Sequence, residues 1–193
     1  MANPQEQALH YPFGDSLPAP GTALEVAPGV HWLRMPLPFA LDHINLWLLR
    51  DEQEGIAGWT IVDCGISNAA TRALWEQIFA DELQGLPVLR VVVTHMHPDH
   101  IGLAHWLCER WSTPNGPAAG PSQAATSPEV HAMAPAGPRG QRSGEAASVG
   151  AHHDCRLWIS ATDYNAARIG SQSTTGFGGD RAAAFFEIGR AHV

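Results

Sequence analysis

The sequence predicts an α/β domain in which a sheet carries packed helices. Strand-like runs fill the stretch from Ala23 to Asp63, and amphipathic helices then alternate with further strands. The β-branched run Val88–Thr94 is typical of a strand that is buried on both faces. The succession of strands, helix, strand, loop and helix indicates a layered α/β architecture.

Length and composition favour one acidic globular domain. The chain has 193 residues. It contains 11 basic residues, all arginine, and 19 acidic residues, which give a formal net charge of −8. This balance argues against a nucleic-acid or polybasic membrane partner. No apolar run approaches the roughly 20 residues of a membrane span, and the N-terminus lacks the pattern of a signal peptide. Three cysteines without a CxxC pair favour a reducing, cytoplasmic compartment.

Several strand-like segments precede the first helix. Leu24–Met35 has the pattern of two extended segments broken at a Pro-Gly pair, and His43–Arg50 alternates before it becomes fully apolar. We expect a polar turn over Asp51–Gly58 and a short buried strand over Trp59–Asp63. Residues 1–22 are polar and rich in turn formers, so we expect a flexible N-terminal arm.

Two helices are predicted on either side of the β-branched run. Asn68–Leu83 carries apolar residues near helical spacing and is followed by glycine and proline. Ile101–Trp111 is a second amphipathic segment. Residues 155–186 resume the α/β pattern with a strand-like RLWIS and a helix over Asp163–Ile169 that a serine or threonine can cap.

A long segment, 112–154, interrupts this pattern. It is dominated by Ala, Pro, Gly and Ser and holds few large apolar side chains. Such a composition cannot bury enough surface to offset the entropy lost on ordering, so we expect a disordered insert. The final residues, 187–193, can be reverse-translated into a common sequencing adapter. We therefore expect this tail to be an assembly artefact and the complete protein to be longer.

The residues Thr94–His100 (THMHPDH), here called the histidine loop, carry the candidate chemistry. Side chains alternate in an extended loop, so His95 and His97 point the same way and can share one metal ion. The proline favours an extended residue before it and a helix start after it. Asp99 and His100 then lie on a backbone that has turned, where they can face a second metal ion.

Imidazole and carboxylate ligands suit zinc, and also iron or manganese. Such ions would lower the pKa of a bound water towards neutrality and polarise the bond under attack. Asp99 can also hold a proton from that water, which makes it a candidate catalytic residue as well as a ligand. The alternative is an ordinary polar loop above a strand. Elsewhere, Cys64 and Cys108 are expected to be packed residues and His105 a residue of the helix surface.

THMHPDHIG resembles the HxHxDH signature of the metallo-β-lactamase-fold hydrolases, a superfamily that includes glyoxalase II-type thioesterases. Upstream, IVDCG resembles the strand of this family that ends in Asp-x-Gly, where Asp63 would support the histidine loop from behind. The resemblance covers roughly Ala23–Trp111 and resumes more weakly over 155–186. It implies the N-terminal half of a four-layer αββα sandwich, incomplete, with zinc as the cofactor. The ligands that it implies are His95, His97, Asp99 and His100.

The sequence departs from the family pattern after His100. The family completes two metal sites with a later Gly-His segment, a bridging Asp and a final His, and no such Gly-His segment follows here. His131, His152 and His153 are alternative ligands, but their recruitment requires ordering the insert. The resemblance thus implies a truncated chain with impaired metal binding.

Three functions stay open at this level. The first is a hydrolase that attacks an ester, thioester, lactone or lactam of a small molecule with metal-activated hydroxide. The second is a mononuclear iron oxidoreductase of the same fold, as in persulfide dioxygenases. The third is a non-catalytic fragment. Zinc favours the first, one iron with oxygen uptake favours the second, and failure to bind metal or to unfold cooperatively favours the third.

Overall fold

The computed structural model describes residues 8–112 and 154–172. The strands are β1 (Ala23–Ala27), β2 (Val30–Pro36), β3 (His43–Gln53), β4 (Ile56–Val62), β5 (Val88–Val92) and β6 (Arg156–Trp158). The helices are α1 (Ala69–Asp81), α2 (Pro98–Ile101), α3 (Ala104–Trp111) and α4 (Ala161–Gln172). The strands form one six-stranded sheet in chain order, which confirms the predicted α/β class.

The first four strands form an antiparallel meander. β1 and β2 are joined at the predicted Pro-Gly turn, and β2 pairs with β3 in a register that sets Trp32 opposite Trp47. β3 pairs with β4 so that Leu48 lies opposite Ile61. The side chains of Leu48 and Ile61 are fully buried, as the apolar pattern of these strands predicts.

The predicted polar turn over Asp51–Gly58 is wrong, because both strands run well into it. Only Glu54 and Gly55 form the turn, and both have positive φ, 53° and 79°, as a two-residue hairpin turn favours. The polar residue Asp51 stays in β3 because it accepts a 2.6 Å hydrogen bond from the Thr60 hydroxyl. It also forms a 2.8 Å ion pair with Arg90. Cross-strand partners, which local sequence does not reveal, stabilise these polar strand positions.

The last three strands are parallel, with α1 between β4 and β5 and with α2 and α3 after β5. β4 pairs with β5 and β5 with β6 in parallel, so α1 forms the crossover between β4 and β5. α1 begins after Asn68, whose side chain accepts a hydrogen bond from the Thr71 N–H at 2.7 Å. The single helix predicted over Ile101–Trp111 is instead two helices, with Gly102 and Leu103 between them. The serine cap of α4 is confirmed, because the Ser160 hydroxyl accepts from the Asp163 N–H at 3.0 Å.

An aromatic cluster packs α1 against α3. Trp75 is fully buried, and its indole N–H donates to the Cys64 carbonyl at 2.8 Å. Phe79 stacks on Trp75 and lies 6.1 Å from the Trp106 ring and 5.2 Å from the Trp111 ring. Burial of each such side chain contributes on the order of 2 kcal/mol. This cluster holds α3, the helix that follows the histidine loop, against the rest of the domain.

Several predicted boundaries are not tested by the structure. Residues 8–22 form turns ahead of β1, and Pro18 and Gly21 among them are buried. Three predicted segments lie wholly or partly outside the described residues: most of the insert 112–154, the end of the segment 155–186, and the tail 187–193.

Among the helices of the described residues, none has the length and apolar character that a membrane crossing requires.

Candidate metal centre

The histidine loop connects β5 to α2 at the carboxyl end of the parallel strands. His97 has an extended backbone with φ −64° and ψ 147°, and Pro98 is the first residue of α2. Proline disfavours a helical residue before it and fits the first helical position, so the path turns from extended to helical at this point. Asp99 and His100 lie in the first turn of α2, as the sequence predicts.

Three imidazoles and one carboxylate meet in this loop. The ring centroids of His95 and His97 are 4.8 Å apart with an edge-to-face arrangement. The rings of His95 and His100 are closer, with centroids 3.8 Å apart. Nε2 of His100 lies 3.6 Å from a carboxylate oxygen of Asp99. The structure therefore brings all four predicted ligand residues together.

Asp63 holds this loop from the end of β4. Its carboxylate is buried and accepts hydrogen bonds of 2.8 Å from the backbone N–H and from the hydroxyl of Thr94. The same carboxylate lies 2.8 Å from Nδ1 of His100. Asp63 has a φ of 63°, in the left-handed region that few residues other than glycine adopt. The hydrogen bonds of its carboxylate offset this conformational cost.

Thr94 is a site residue to which sequence reasoning assigned no role. Its hydroxyl contacts Asp63, lies 3.0 Å from Nδ1 of His95 and lies 3.3 Å from Nδ1 of His100. The sequence feature that could have identified Thr94 is its position directly before the first histidine, at the end of a strand. This feature points to a role only once β4 and β5 are known to be neighbours, because their pairing sets Thr94 beside Asp63.

The hydrogen bonds at Nδ1 define which nitrogen of each ring is free to bind a ligand. Asp63 can only accept at Nδ1 of His100, so that nitrogen carries the proton and Nε2 keeps a lone pair in the neutral ring. Thr94 donates to Asp63, so its oxygen accepts from Nδ1 of His95, and Nε2 of this ring is also left with a lone pair.

The electrostatic surroundings favour a neutral His95. Burial lowers the pKa of this imidazole below its ordinary value, and the neighbouring His100 and His97 lower it further. A neutral imidazole is the form that binds a metal ion. The same environment therefore prepares His95 as a ligand.

The histidine loop supplies the types of donor atom that bind metal ions. Neutral imidazole and carboxylate suit zinc, iron and manganese. Within residues 8–112 and 154–172, however, no three His, Cys, Asp or Glu side chains are arranged so that they could hold a metal ion. A protein metal centre needs three or four such donors, so the described residues offer only part of one. The ligand roles of the loop residues stay predictions.

Other candidate residues lie away from this cluster. His105 is on the surface of α3 and pairs with Glu109 at 3.2 Å, as expected for a helix-surface residue. Cys64 is fully buried, and burial raises the pKa of its thiol well above the ordinary value. The alternative ligands lie outside the described residues; they are His131, His152 and His153.

A buried aspartate after one parallel strand and an HxHxDH loop after the next are the features on which the resemblance to the metallo-β-lactamase fold depends. The sequence matches the metallo-beta-lactamase superfamily over residues 40–155, and the chain belongs to this superfamily. Membership implies metal ions and suggests a hydrolase type of function. The family resemblance of the sequence is thereby confirmed, and the six-stranded sheet is consistent with part of the superfamily fold.

The known proteins to which this chain is similar include the following two. A probable metallo-hydrolase, YqjP of Bacillus subtilis strain 168, is 35% identical over 72 residues, which are 37% of this chain and 21% of that protein. A crystal structure of a beta-lactamase domain protein from Burkholderia ambifaria has a TM-score of 0.63 and 49% sequence identity. That match covers 89% of this chain and 40% of the Burkholderia chain. This chain thus spans less than half the length of either protein.

Proposed function

We propose that this chain carries the histidine-loop half of a metal-dependent hydrolase that cleaves an ester, thioester, lactone or lactam in a small molecule. The observation that carries the proposal is the buried Asp63 carboxylate, which holds Thr94 and His100 so that three imidazoles and one carboxylate meet. Membership of the metallo-beta-lactamase superfamily and the description of YqjP as a probable metallo-hydrolase support it.

Each loop residue has a distinct part in this proposal. His95 and His97 would hold one zinc ion, and Asp99 and His100 would hold a second. When bound, zinc would supply a hydroxide nucleophile near neutral pH and polarise the carbonyl of the substrate. The Asp99 carboxylate would accept a proton at one of its oxygens. Asp63 and Thr94 keep Nδ1 of His100 and His95 occupied, which directs Nε2 of both rings towards the ligand side.

The remaining ligands lie, in this proposal, outside the described residues. The match to the Burkholderia structure covers 40% of that chain, which supports a longer complete protein in which the two metal sites are finished. A net charge of −8 makes a small molecule a better substrate than a nucleic acid or an anionic membrane surface. The present chain then binds zinc weakly and through the loop alone.

Zinc titration of the purified chain against a chromophoric indicator tests the proposal. We expect measurable zinc binding that falls at least tenfold in the double variant His95→Ala/His97→Ala. His105→Ala is the matched control, because it removes a histidine from the exposed surface of α3 and is expected to leave zinc binding unchanged. Equal zinc affinity in the double variant and the parent chain would show that the loop is not the ligand source.

Metal analysis of the protein as purified separates the hydrolase from the oxidoreductase of the same fold. Zinc with hydrolysis of an ester or thioester supports the proposal. Iron at one atom per chain, together with oxygen uptake on addition of a persulfide, overturns it in favour of the oxidoreductase.

A further inference from the structure

A cleft lies between the segment that precedes β1 and the ends of β2 and β3. Its walls combine three prolines with three polar side chains that carry or can carry charge; they are Pro18, Pro20, Pro36, Arg34, Asp42 and His43. The volume of the cleft is about 220 Å³, whereas roughly 150 Å³ is enough to hold a benzene ring. No residue of the histidine loop is among these described lining residues, so the cleft is a site apart from the candidate metal centre.

The pairing of β2 with β3 sets polar side chains of the cleft on one face of the sheet. Met35 and Ile44 are buried in the core, and side chains alternate along a strand. Arg34, Pro36 and His43 therefore lie on the opposite face. Pro36 is directly opposite His43 in the register, which makes Arg34 a diagonal neighbour of His43 across the two strands.

Asp42 and His43 are already partners of each other. Nδ1 of His43 lies 2.5 Å from a carboxylate oxygen of Asp42. The Leu37 N–H donates to the Asp42 carbonyl at 2.8 Å and so fixes the backbone of Asp42 next to the start of β3. The hydrogen bond from His43 lowers the pKa of Asp42 below its ordinary value, so this side chain is ionised at neutral pH. The cleft therefore has a negative charge in its wall.

Arg34 has no such partner for its guanidinium. The Nε atom of Arg34 is buried and makes no hydrogen bond to any residue in the part of the chain that the structure describes. By contrast, Arg110 donates to Glu76 at 2.9 Å and Arg156 donates to Asp154 at 3.3 Å. A buried donor without an acceptor costs free energy, and buried donors in native proteins nearly always have a partner. A ligand in the cleft would bring an acceptor to this guanidinium.

We propose that the cleft binds a small organic carboxylate, whose carboxylate group pairs with Arg34 and whose apolar body packs against the prolines. A guanidinium presents its N–H donors in a planar fork that matches the two oxygens of a carboxylate. The rings of Pro18, Pro20 and Pro36 supply an apolar wall. The Asp42 carboxylate repels a second negative charge on the ligand, so a monocarboxylate fits the cleft better than a phosphate dianion.

Titration of the full chain with sodium benzoate, followed by NMR, tests the proposal. Benzoate joins one carboxylate to an apolar ring, and the protein is first freed of metal on a chelating resin so that bound zinc cannot take up the anion. We expect saturable shifts of the backbone amides of Leu37 and His43 and of the Arg34 Nε–H resonance. Benzyl alcohol, which has the ring without the charge, and inorganic phosphate are each expected to bind at least about tenfold more weakly than benzoate.

A variant of Arg34 tests whether the guanidinium holds the ligand. Arg34→Gln is expected to weaken benzoate binding at least about tenfold, measured from the same two backbone amides. Arg156→Gln is the matched control, because it removes an exposed arginine from β6, at the other end of the sheet from β1 and β2. We expect this control variant to bind benzoate as the parent chain does.

Three results would each overturn the proposal. They are shifts that do not saturate with benzoate, equal benzoate affinity in Arg34→Gln and the parent chain, and binding of phosphate or benzyl alcohol as tight as that of benzoate. If Arg34→Gln does not fold, the comparison of the three ligands on the parent chain decides. All of these readouts use metal-free protein, so a failure of the zinc titration leaves them unaffected.

Discussion

The Asp63 carboxylate and the His100 imidazole, 37 positions apart in sequence, meet at 2.8 Å. The residue after Asp63 adds a link through the backbone, because the Cys64 N–H donates to the His100 carbonyl at 2.7 Å. His100 is therefore held at its side chain and at its main chain by the end of β4. This double attachment joins α2 to the neighbouring strand and gives the histidine loop a defined position.

Asp63→Asn tests this attachment. The amide can accept at one oxygen only, so at least one of the donors on Thr94 and His100 loses its hydrogen bond to the buried Asp63 side chain. We expect the free energy of unfolding to fall by about 2 kcal/mol in urea titrations. If the loop binds zinc, we also expect affinity to fall about 10- to 100-fold. Asp81→Asn, on the exposed end of α1, is the control, and equal unfolding midpoints for the two variants would contradict the role of Asp63.

Thr94→Val tests the hydroxyl without changing the shape of the side chain. The variant loses the 2.8 Å hydrogen bond to Asp63 and the contacts with both histidine rings. We expect a loss of about 1–2 kcal/mol in the free energy of unfolding. Thr22→Val removes an exposed hydroxyl that donates to the nearby Ala19 carbonyl, and its expected effect is within about 0.5 kcal/mol. A Thr94 variant as stable as the Thr22 variant would show that the hydroxyl network contributes nothing.

Gly58→Ala tests how closely β4 approaches β5. A Cβ at this position would lie 2.5 Å from the Pro87 carbonyl oxygen and 2.6 Å from Cγ of Leu89, which is fully buried. Because backbone and core must both shift, we expect a loss of about 3 kcal/mol in thermal or urea unfolding. Gly55→Ala is the contrast, since it has open space around it and a φ of 79°, and we expect about 1 kcal/mol of strain. If Gly55→Ala lost more stability than Gly58→Ala, β4 and β5 would lie further apart than in this structure.

The buried thiol of Cys155 predicts a loss of stability at alkaline pH. Its pKa is raised above the ordinary value of 9.0 in the folded state, so the unfolded chain releases this proton first as pH rises. The unfolded state then binds fewer protons than the folded state, and the free energy of unfolding falls with pH from about pH 9 upward. Urea titrations under reducing conditions between pH 8 and 10 measure this slope. Cys155→Ser should make the slope shallower without abolishing it, because the pKa of the buried Cys64 thiol is also raised. A slope identical to that of the parent chain would contradict the prediction.

Much of the fold follows from local sequence. The Pro-Gly turn, the buried β-branched strand, the Asn68 cap and the serine cap of α4 all depend on residues that are close in the chain. The backbone conformation of the histidine loop also depends on local sequence. Pro98 favours both the extended conformation of the residue before it and the start of the helix after it. These features were predictable because backbone conformation and capping act over a few residues.

The sequence by itself determined the strand and helix types, the HxHxDH loop and the superfamily to which the chain belongs. The tertiary structure decided which residues are neighbours: Asp51 lies within a strand beside Thr60, and the Thr94 hydroxyl lies between His95 and His100. Those contacts depend on which strands are neighbours and in what register. Because that choice is made by packing across the whole sheet, no short window of sequence contains it.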